Sequence, residues 1–252
     1  MIKKIIRGAI TDLYWRVTDA AESRLRKRAK RENFLPTLYK ELSRPWIQAL
    51  NIKSIVDIGA NVGDWTKTSS IVFPEAKIYA FEPIAELCAQ LNERMKDCAQ
   101  RVQTFNVALA EKEGVADFYL NDFVSSSSLL KMHENHKHHF SFTAHDKKIQ
   151  VPVKTLDSFF SEGEPEESIL VKVDVQGAES SVLRGGRILF SKAKIAIMEV
   201  SFEELYEKGV LFDELNAEMK RLNFSYHGQL AQLHSPVNGR PVQADCIFVK
   251  NA

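Results

Sequence analysis

Cysteine is scarce in this sequence, and the three cysteines, Cys88, Cys98 and Cys246, form no CxxC pair. An odd number of thiols cannot all be paired within one chain. This usage excludes a disulfide-stapled scaffold, indicates a reducing compartment and predicts a cytoplasmic protein.

An excess of either charge is also lacking, because 34 Lys and Arg residues are balanced by 33 Asp and Glu residues, for a net charge of +1. The chain as a whole therefore has no electrostatic attraction for nucleic acid, and no nucleic-acid partner is expected. No run approaches the roughly 18–20 apolar residues that a membrane span needs. With 11 Gly and 8 Pro, 44% hydrophobic and 27% charged residues, the composition is that of a globular protein.

Residues 1–50 differ from the rest and are predicted to form a basic helical N-terminal extension to a domain over residues 51–252. Apolar side chains recur at helical spacing from Ile2 to Val17, and six cations without an acid lie between Ser23 and Arg31. Two interpretations stand. Residues 1–31 make peripheral contact with an anionic membrane, at its inner surface, or they form an amphipathic helix that packs on its own domain. The apolar start is too short and interrupted for a secretion signal, so we expect it to be retained.

From Ile52 onward, short apolar runs alternate with longer amphipathic segments. The predicted buried strands are Ser54–Ile58, Lys77–Phe81, Val102–Val107, Ser168–Val173 and Ile195–Val200. The predicted helices are Val62–Val72, Ile84–Lys96 and Ala178–Phe190. This alternation predicts an α/β protein with a parallel sheet covered on both faces. Phe224–His227 and Cys246–Lys250, separated by turn residues, are predicted to pair antiparallel at the end of the sheet.

A long segment, about residues 111–154, interrupts the alternation. It contains the serine run Ser125–Ser128 and five histidines, and predicted strands at Val115–Leu120 and Ile149–Val153 bracket it. A connection of this length inside a compact domain predicts a lid-like or mobile insert that contributes to function.

A glycine-containing loop, Asp57–Gly63, follows the first predicted strand and precedes a predicted helix. Glycines at 59 and 63 permit a sharp turn and a close approach to a ligand, at the sheet edge where ligands of such folds bind. The loop is not the GxGxxG dinucleotide motif, because position 61 is Asn. Glu82 ends the next strand and is followed by Pro83. Its carboxylate suits the two hydroxyls of a ribose, although a cap on the following helix is the alternative.

Together these motifs resemble those of the class I S-adenosylmethionine-dependent methyltransferases, and more narrowly of the FkbM family. The resemblance spans about residues 52–250 and depends on the ordered set Val56–Gly63, Phe81–Pro83, Asn106–Leu109, Val151–Phe160, Leu170–Glu179 and Met198–Val200. It implies a Rossmann-like fold with a mostly parallel seven-stranded sheet, helices on both faces and a C-terminal antiparallel strand pair. The family often has Glu where this chain has Gln176, and the shared motifs cover neither residues 1–50 nor the histidine-rich insert.

The resemblance also implies a site for S-adenosylmethionine. Asp57 would orient the loop, Glu82 would hold the ribose, and Asn106 with Ala108 would border the adenine. The candidate cofactor-binding residues are Asp57, Gly59, Ala60, Asn61, Gly63, Glu82, Pro83, Asn106, Ala108, Ser127 and Ser128.

Asp174, at the tip of the central strand, would face both the cofactor and the methyl acceptor. Such a carboxylate can act as a general base, bind a divalent metal together with Glu199, or hold the cofactor amine. Lys172 and Glu199 complete the candidate catalytic set. In the structural alternative, Lys172 pairs with Glu179 and Glu199 caps a helix from Ser201.

The histidines of the insert allow several roles. His133 and His136 have the helical spacing of a metal pair, and His138 or His139 is a candidate base. A solvated, mobile lid is the other interpretation. Ser127 and Ser128 are the serines expected to donate hydrogen bonds to the cofactor when this segment closes.

The leading prediction is an O-methyltransferase that acts on a hydroxyl of a sugar, a glycan precursor or another secondary metabolite. A nicotinamide-dependent oxidoreductase on a related sheet and a non-catalytic module that docks on a membrane are the alternatives. The sequence leaves the oligomeric state and the identity of the small-molecule or glycan acceptor open.

Overall fold

The computed structural model describes residues 20–161, 165 and 167–251. A helix, α1, covers residues 20–32, and α2 (Pro36–Leu42) and α3 (Pro45–Gln48) follow it. Each of the latter two begins with a proline, whose fixed φ suits the first helical turn. Leu42 and Ile47 are fully buried in the apolar cluster that contains strand residues such as Ile55. The apolar residues predicted to form a helix between positions 2 and 17 lie outside the described residues.

The main sheet has seven strands in the order β3-β2-β1-β7-β8-β10-β9. All neighbours from β3 to β8 are parallel, whereas β10 is antiparallel to both β8 and β9. The bounds of the seven strands are β1 Ser54–Ile58, β2 Lys77–Phe81, β3 Val102–Phe105, β7 Ile169–Val173, β8 Ala193–Ser201, β9 Phe224–His234 and β10 Pro241–Lys250. The predicted mostly parallel sheet and its antiparallel C-terminal pair are therefore confirmed.

Both faces of this sheet are covered. Val56 and Ile58 of β1 belong to one buried apolar cluster, whereas Ile55 belongs to the other, as the two-residue period of a strand requires. The helices after β1 are α4 (Asp64–Val72), α5 (Ala85–Met95), α6 (Glu134–His139), α7 (Leu156–Phe159), α8 (Glu179–Gly185), α9 (Arg187–Lys192) and α10 (Phe212–Arg221). Among the described residues, no helix is long and apolar enough to cross a membrane.

The helix predicted over Ala178–Phe190 is two helices, α8 and α9, which meet at Gly186. The backbone of Gly186 leaves the helical region, with φ −129° and ψ 23°. A Cβ on this glycine would lie 2.7 Å from Leu156, so the close packing of α7 requires glycine here. The prediction of one continuous helix was wrong because amphipathic spacing continues across the break.

Two strands of the insert and a short strand just before it form a second, smaller sheet in the order β4-β6-β5. Its strands are β4 (Ala108–Leu109), β5 (Gly114–Asn121) and β6 (Asp146–Lys154), with β5 and β6 antiparallel. The predicted bracketing strands are therefore confirmed. They bring the serine run and α6 to the edge where the parallel strands β1, β2, β7 and β8 end.

Candidate active site

The loop after β1 is fixed by close contact with the strands on either side. The φ of Gly59 is +78°, and a Cβ there would lie 1.9 Å from the backbone oxygen of Asp174. The amides of Gly59 and Ala60 both donate to the carbonyl of Phe81, at 3.0 and 2.9 Å. Only glycine fits position 59, and the loop therefore lies directly on the ends of β2 and β7.

Asp57 lies beneath this loop and is fully buried. Its Oδ2 accepts a 2.5 Å hydrogen bond from Thr66 Oγ1, and its Oδ1 lies 3.5 Å from Lys172 Nζ. Burial raises the pKa of this carboxyl, an effect that Lys172 opposes. Lys172 Nζ also donates to the carbonyl of Gly59, at 3.0 Å. This arrangement suits the orienting role that the resemblance implies for Asp57.

Glu82 is 4% exposed at the end of β2 and accepts two backbone hydrogen bonds. Oε2 accepts from the amide of Asn61 and Oε1 from that of Ile84, both at 2.9 Å. Burial raises the pKa of Glu82. The bond to Ile84, the N-cap residue of α5, is the predicted capping contact. Each carboxylate oxygen retains a lone pair for a ligand, so one residue can serve both roles.

The ends of β7 and β8 bring a cluster of charged groups to the same site. Lys172 Nζ lies 3.3 Å from Asp174 Oδ2. Gln176 Nε2 donates to Asp174 Oδ1 at 2.8 Å and to Glu199 Oε2 at 2.7 Å, so one amide group joins the two carboxylates. The structure thus brings the three candidate catalytic residues together. The alternative pair of Lys172 with Glu179 is wrong, since Glu179 Oε1 instead accepts from two backbone amides of the 175–177 turn.

Asp245 is a residue of this cluster that the sequence did not reveal. It is the antiparallel partner of Glu199 in the register of β10 and β8, and both residues line the same cavity. Desolvation and neighbouring carboxylates raise the pKa of Glu199 well above its ordinary value and that of Asp245 to about 6. Only the pairing of strands far apart in the chain places Asp245 here.

Gln176 is itself held by Tyr206, whose hydroxyl lies 2.8 Å from Gln176 Oε1 and 3.0 Å from the carbonyl of Ser126. Tyr206 is 1% exposed. Contact with Tyr206 also explains Gly177, since a Cβ there would lie 2.8 Å from the tyrosine. The insert, the turn after β7 and the carboxylates are therefore one connected network.

A cavity of about 590 Å³ lies between the glycine loop and this acidic cluster. Of the candidate site residues, those that line it are Gly59, Ala60, Asn61, Glu82, Pro83, Ala108, Ser127, Lys172, Asp174 and Glu199. Four others lie behind its wall. Asp57 and Gly63 support the loop, Asn106 Nδ2 donates to the carbonyls of Glu82 and Pro83, and Ser128 Oγ donates to the carbonyl of Gln176 at 2.7 Å.

The histidines of the insert differ in the residues that they contact. His136 lines the cavity, its Nδ1 lies 3.0 Å from Thr143 Oγ1, and burial lowers its pKa to about 4. His133 caps α6 by accepting from the amide of Asn135, and His139 lies between Ser235 and Glu203. Across the described part of the chain, no group of three or more His, Cys, Asp or Glu side chains is arranged to hold a metal ion. His136, rather than His138 or His139, is thus the histidine that faces the site.

The known proteins and the family model that this chain resembles are all described as methyltransferases. The model of the methyltransferase FkbM domain matches residues 57–226. The 2-O-methyltransferase NoeI of Sinorhizobium fredii is 31% identical over 159 residues, which cover 61% of this chain and 65% of NoeI. The methyltransferase sdnD of Sordaria araneosa is 29% identical over 154 residues, covering 52% of this chain and 59% of sdnD. The match thus spans less than two thirds of either relative.

Among solved structures, that of a Klebsiella pneumoniae protein assigned as an O-methyltransferase aligns with a TM-score of 0.51 at 12% identity. The alignment covers 92% of this chain and 90% of that one. This likeness concerns the fold alone, and it is the class I methyltransferase fold that the sequence predicts.

Proposed function

Because this chain belongs to the FkbM methyltransferase family, we propose that it transfers the methyl group of S-adenosylmethionine to a hydroxyl of a sugar, a glycan precursor or another secondary metabolite. One observation carries the proposal. A single cavity is lined both by the glycine loop with Glu82 and by the Asp174–Glu199 cluster. It therefore offers room for a nucleoside and an acceptor side by side.

The glycine-loop side fits the cofactor. Glycine at 59 lets the loop lie against the Asp174 carbonyl at the wall of the cavity, and Glu82 keeps carboxylate lone pairs that can accept from the two ribose hydroxyls. When bound, S-adenosylmethionine supplies an electrophilic methyl group on a positively charged sulfur. The acidic groups of the cavity favour this positively charged sulfur, because water screens the attraction between opposite charges only weakly inside an enclosed cavity.

The acidic side fits the acceptor. A hydroxyl oxygen is a weak nucleophile until its proton is removed, and a carboxylate within reach can take that proton. Glu199 suits this task because desolvation and nearby carboxylates raise its pKa well above the ordinary value, which makes it a stronger proton acceptor. Asp174 lies across the Gln176 amide from Glu199 and can orient the acceptor hydroxyl.

The charges of the cavity favour this proposal over a nicotinamide-dependent oxidoreductase. Among the described lining residues, Lys172 is the single Lys or Arg, and Asp57, Asp174 and the Gly59 carbonyl already surround its ammonium group. A pyrophosphate would therefore face carboxylates without a free cation.

The test is transfer of labelled methyl from S-adenosylmethionine to acceptors in a cell extract, together with calorimetric titration of the purified chain with S-adenosylmethionine and with NAD. We expect labelled product in the transfer assay. In the calorimetric titrations we expect binding of S-adenosylmethionine and no binding of NAD. Asp174→Asn should reduce transfer by about two orders of magnitude, because a misplaced acceptor hydroxyl can lower the rate about a hundredfold. Asp146→Asn, at an exposed position of β6, is the control. NAD binding without methyl transfer would overturn the proposal.

The same assay separates a base from a metal-assisted mechanism. The Gln176 amide donates to both Asp174 and Glu199 and so bridges the two carboxylates where a cation shared by them would lie. We therefore expect EDTA to leave the transfer rate unchanged. Loss of activity in EDTA that magnesium restores would instead indicate that Asp174 and Glu199 bind a metal.

A further inference from the structure

Five large apolar residues that line the cavity are each more than a third exposed to solvent. Their exposed fractions are 42% for Leu35, 49% for Phe123, 38% for Val124, 61% for Phe142 and 44% for Leu233, and all five line the cavity. We call this set the apolar rim. Its members come from the N-terminal region, the serine-containing segment, the loop after α6 and β9. A cluster of exposed apolar side chains around a pocket indicates a binding surface.

The two phenylalanines of the rim are held in a defined arrangement. The rings of Phe123 and Phe142 are 5.2 Å apart and nearly perpendicular, and Phe140, which is 8% exposed, lies 6.1 Å from Phe142. Phe140 also lines the cavity and contacts His136, at 5.3 Å between rings. The aromatic surface is therefore continuous from the opening into the interior.

The charges of the cavity exclude one class of acceptor head group. Carboxylates at Glu82, Asp174, Glu199 and Asp245 line it, and the ammonium group of Lys172 is already enclosed by two carboxylates and a carbonyl. A phosphate in the acceptor would lose its hydration without gaining an unpaired cation as partner. An uncharged head group bearing hydroxyls meets no such cost.

From the rim and these charges together, we propose that the acceptor is a phosphate-free amphiphile. A hydroxyl-bearing head enters the acidic end, and an attached alkyl or aryl group lies on the apolar rim. The inference deepens the proposed function and rests on it. It excludes nucleotide-activated sugars as acceptors and assigns Phe123 and Phe142 to acceptor specificity.

The experiment measures binding of uncharged glucosides with methyl, butyl and octyl chains, below micellar concentration, by calorimetry with and without saturating S-adenosylhomocysteine. Each buried methylene contributes about fourfold in affinity, so the octyl glucoside should bind at least about tenfold more tightly than the methyl one. UDP-glucose should bind more weakly than methyl glucoside. Phe142→Ser and Phe123→Ser should remove most of the dependence of affinity on chain length. Ile188→Ser is the control, because Ile188 is 62% exposed on α9 and does not line the cavity.

Several results overturn the inference. They are equal affinity for all chain lengths, no detectable binding of the octyl glucoside, a preference for UDP-glucose, or an equal effect of Ile188→Ser. A rim that binds a membrane would show sedimentation with zwitterionic phospholipid vesicles that Phe142→Ser abolishes, without discrimination among the glucosides. Binding of S-adenosylhomocysteine is measured first, and its absence would contradict the proposed function rather than the nature of the acceptor.

Discussion

At the level of single residues, the site depends on one buried lysine that faces several carboxylates. Lys172 is 6% exposed, and the nearby Asp174 and Asp57 carboxylates raise its pKa above the ordinary value against the opposing effect of burial. A charge removed from water in this way is stable only when paired and hydrogen-bonded. Lys172 therefore fixes the relative positions of the glycine loop and the tip of β7.

Glu179 gives this network a measurable pH dependence. Burial raises its pKa to about 7 from an ordinary value of 4.5, so the folded chain holds a proton there more tightly than the unfolded chain. Its contribution to stability is full below about pH 4.5 and is lost as the pH rises to about 7. Between pH 5 and 7, we expect the wild-type free energy of unfolding to fall relative to Glu179→Gln by on the order of 1–3 kcal/mol. The glutamine retains an oxygen for the amides of Val175 and Gly177.

The measurement is urea denaturation of both proteins across this pH range, with the exposed Glu93→Gln as control. The difference between the profiles is decisive, because His136, with a pKa lowered to about 4, has the opposite dependence in the same range. A difference independent of pH would show that Glu179 is ionised in the folded protein throughout.

Sequence reasoning at this scale found the residues that lie within motifs and missed those that strand pairing brings in. Asp57, Glu82 and Asp174 each end or follow a buried strand, and that position identified them. Asp245 lies in the middle of β10, where only its register opposite Glu199 gives it a place in the site. Tyr206 belongs to no motif in the sequence. Its hydroxyl reaches the site only because the 175–177 turn folds against it and places Gln176 within hydrogen-bond distance.

At the level of elements, the serine segment and the turn after β7 are linked through Tyr206. Tyr206→Phe removes the single hydroxyl hydrogen that Gln176 Oε1 and the Ser126 carbonyl share. We expect a loss of about 1–3 kcal/mol in the free energy of unfolding. Because Gln176 positions both carboxylates, methyl transfer should fall about tenfold or more, while affinity for S-adenosylhomocysteine changes little.

Transfer kinetics, calorimetry and urea denaturation of this variant provide the check. Tyr39→Phe, in the N-terminal region where the hydroxyl accepts from Arg28, is the matched control. Equal losses in cofactor affinity and transfer rate would contradict a role for Tyr206 in positioning the carboxylates.

Element bounds were predictable where burial is complete. Strands β1 and β2 have the predicted ends because their residues are almost wholly buried and mostly apolar. Strand β9 extends to His234, well beyond the predicted end at His227. The prediction missed its second half because most of these residues are exposed and form no continuous apolar run. Helix α10 was not predicted, although acidic residues in its first turn, basic residues in its last and the buried pair Leu215 and Met219 were available signals.

At the level of the whole molecule, balanced net charge conceals a local excess on α1. Ala29 is buried and Arg28 lies over the rings of Phe34 and Tyr39, so this helix packs on its own chain while its other basic side chains stay exposed. The two interpretations of residues 1–31 are therefore compatible for the described part. Packing of α1 on its own chain leaves most of its basic side chains exposed to solvent.

We predict salt-dependent sedimentation of the protein with anionic vesicles, since each surface cation near such a membrane contributes about 1 kcal/mol. Replacement of Arg24, Lys27 and Arg31 by serine should abolish it. A variant with Lys147 and Lys148 of β6 replaced in the same way is the control. Sedimentation that is insensitive to salt and to the α1 substitutions would contradict this electrostatic contact.

The central claim is that the cavity between the glycine loop and Glu82 binds S-adenosylmethionine. Calorimetric titration with this compound tests it most directly in wild type, Glu82→Ala and the control Glu86→Ala, whose side chain is exposed on α5. Hydrogen bonds to a charged group contribute about 1.5–3 kcal/mol, so Glu82→Ala should bind at least about tenfold more weakly, with the control unchanged and thermal unfolding confirming that both variants fold. Undiminished affinity in folded Glu82→Ala would contradict the claim.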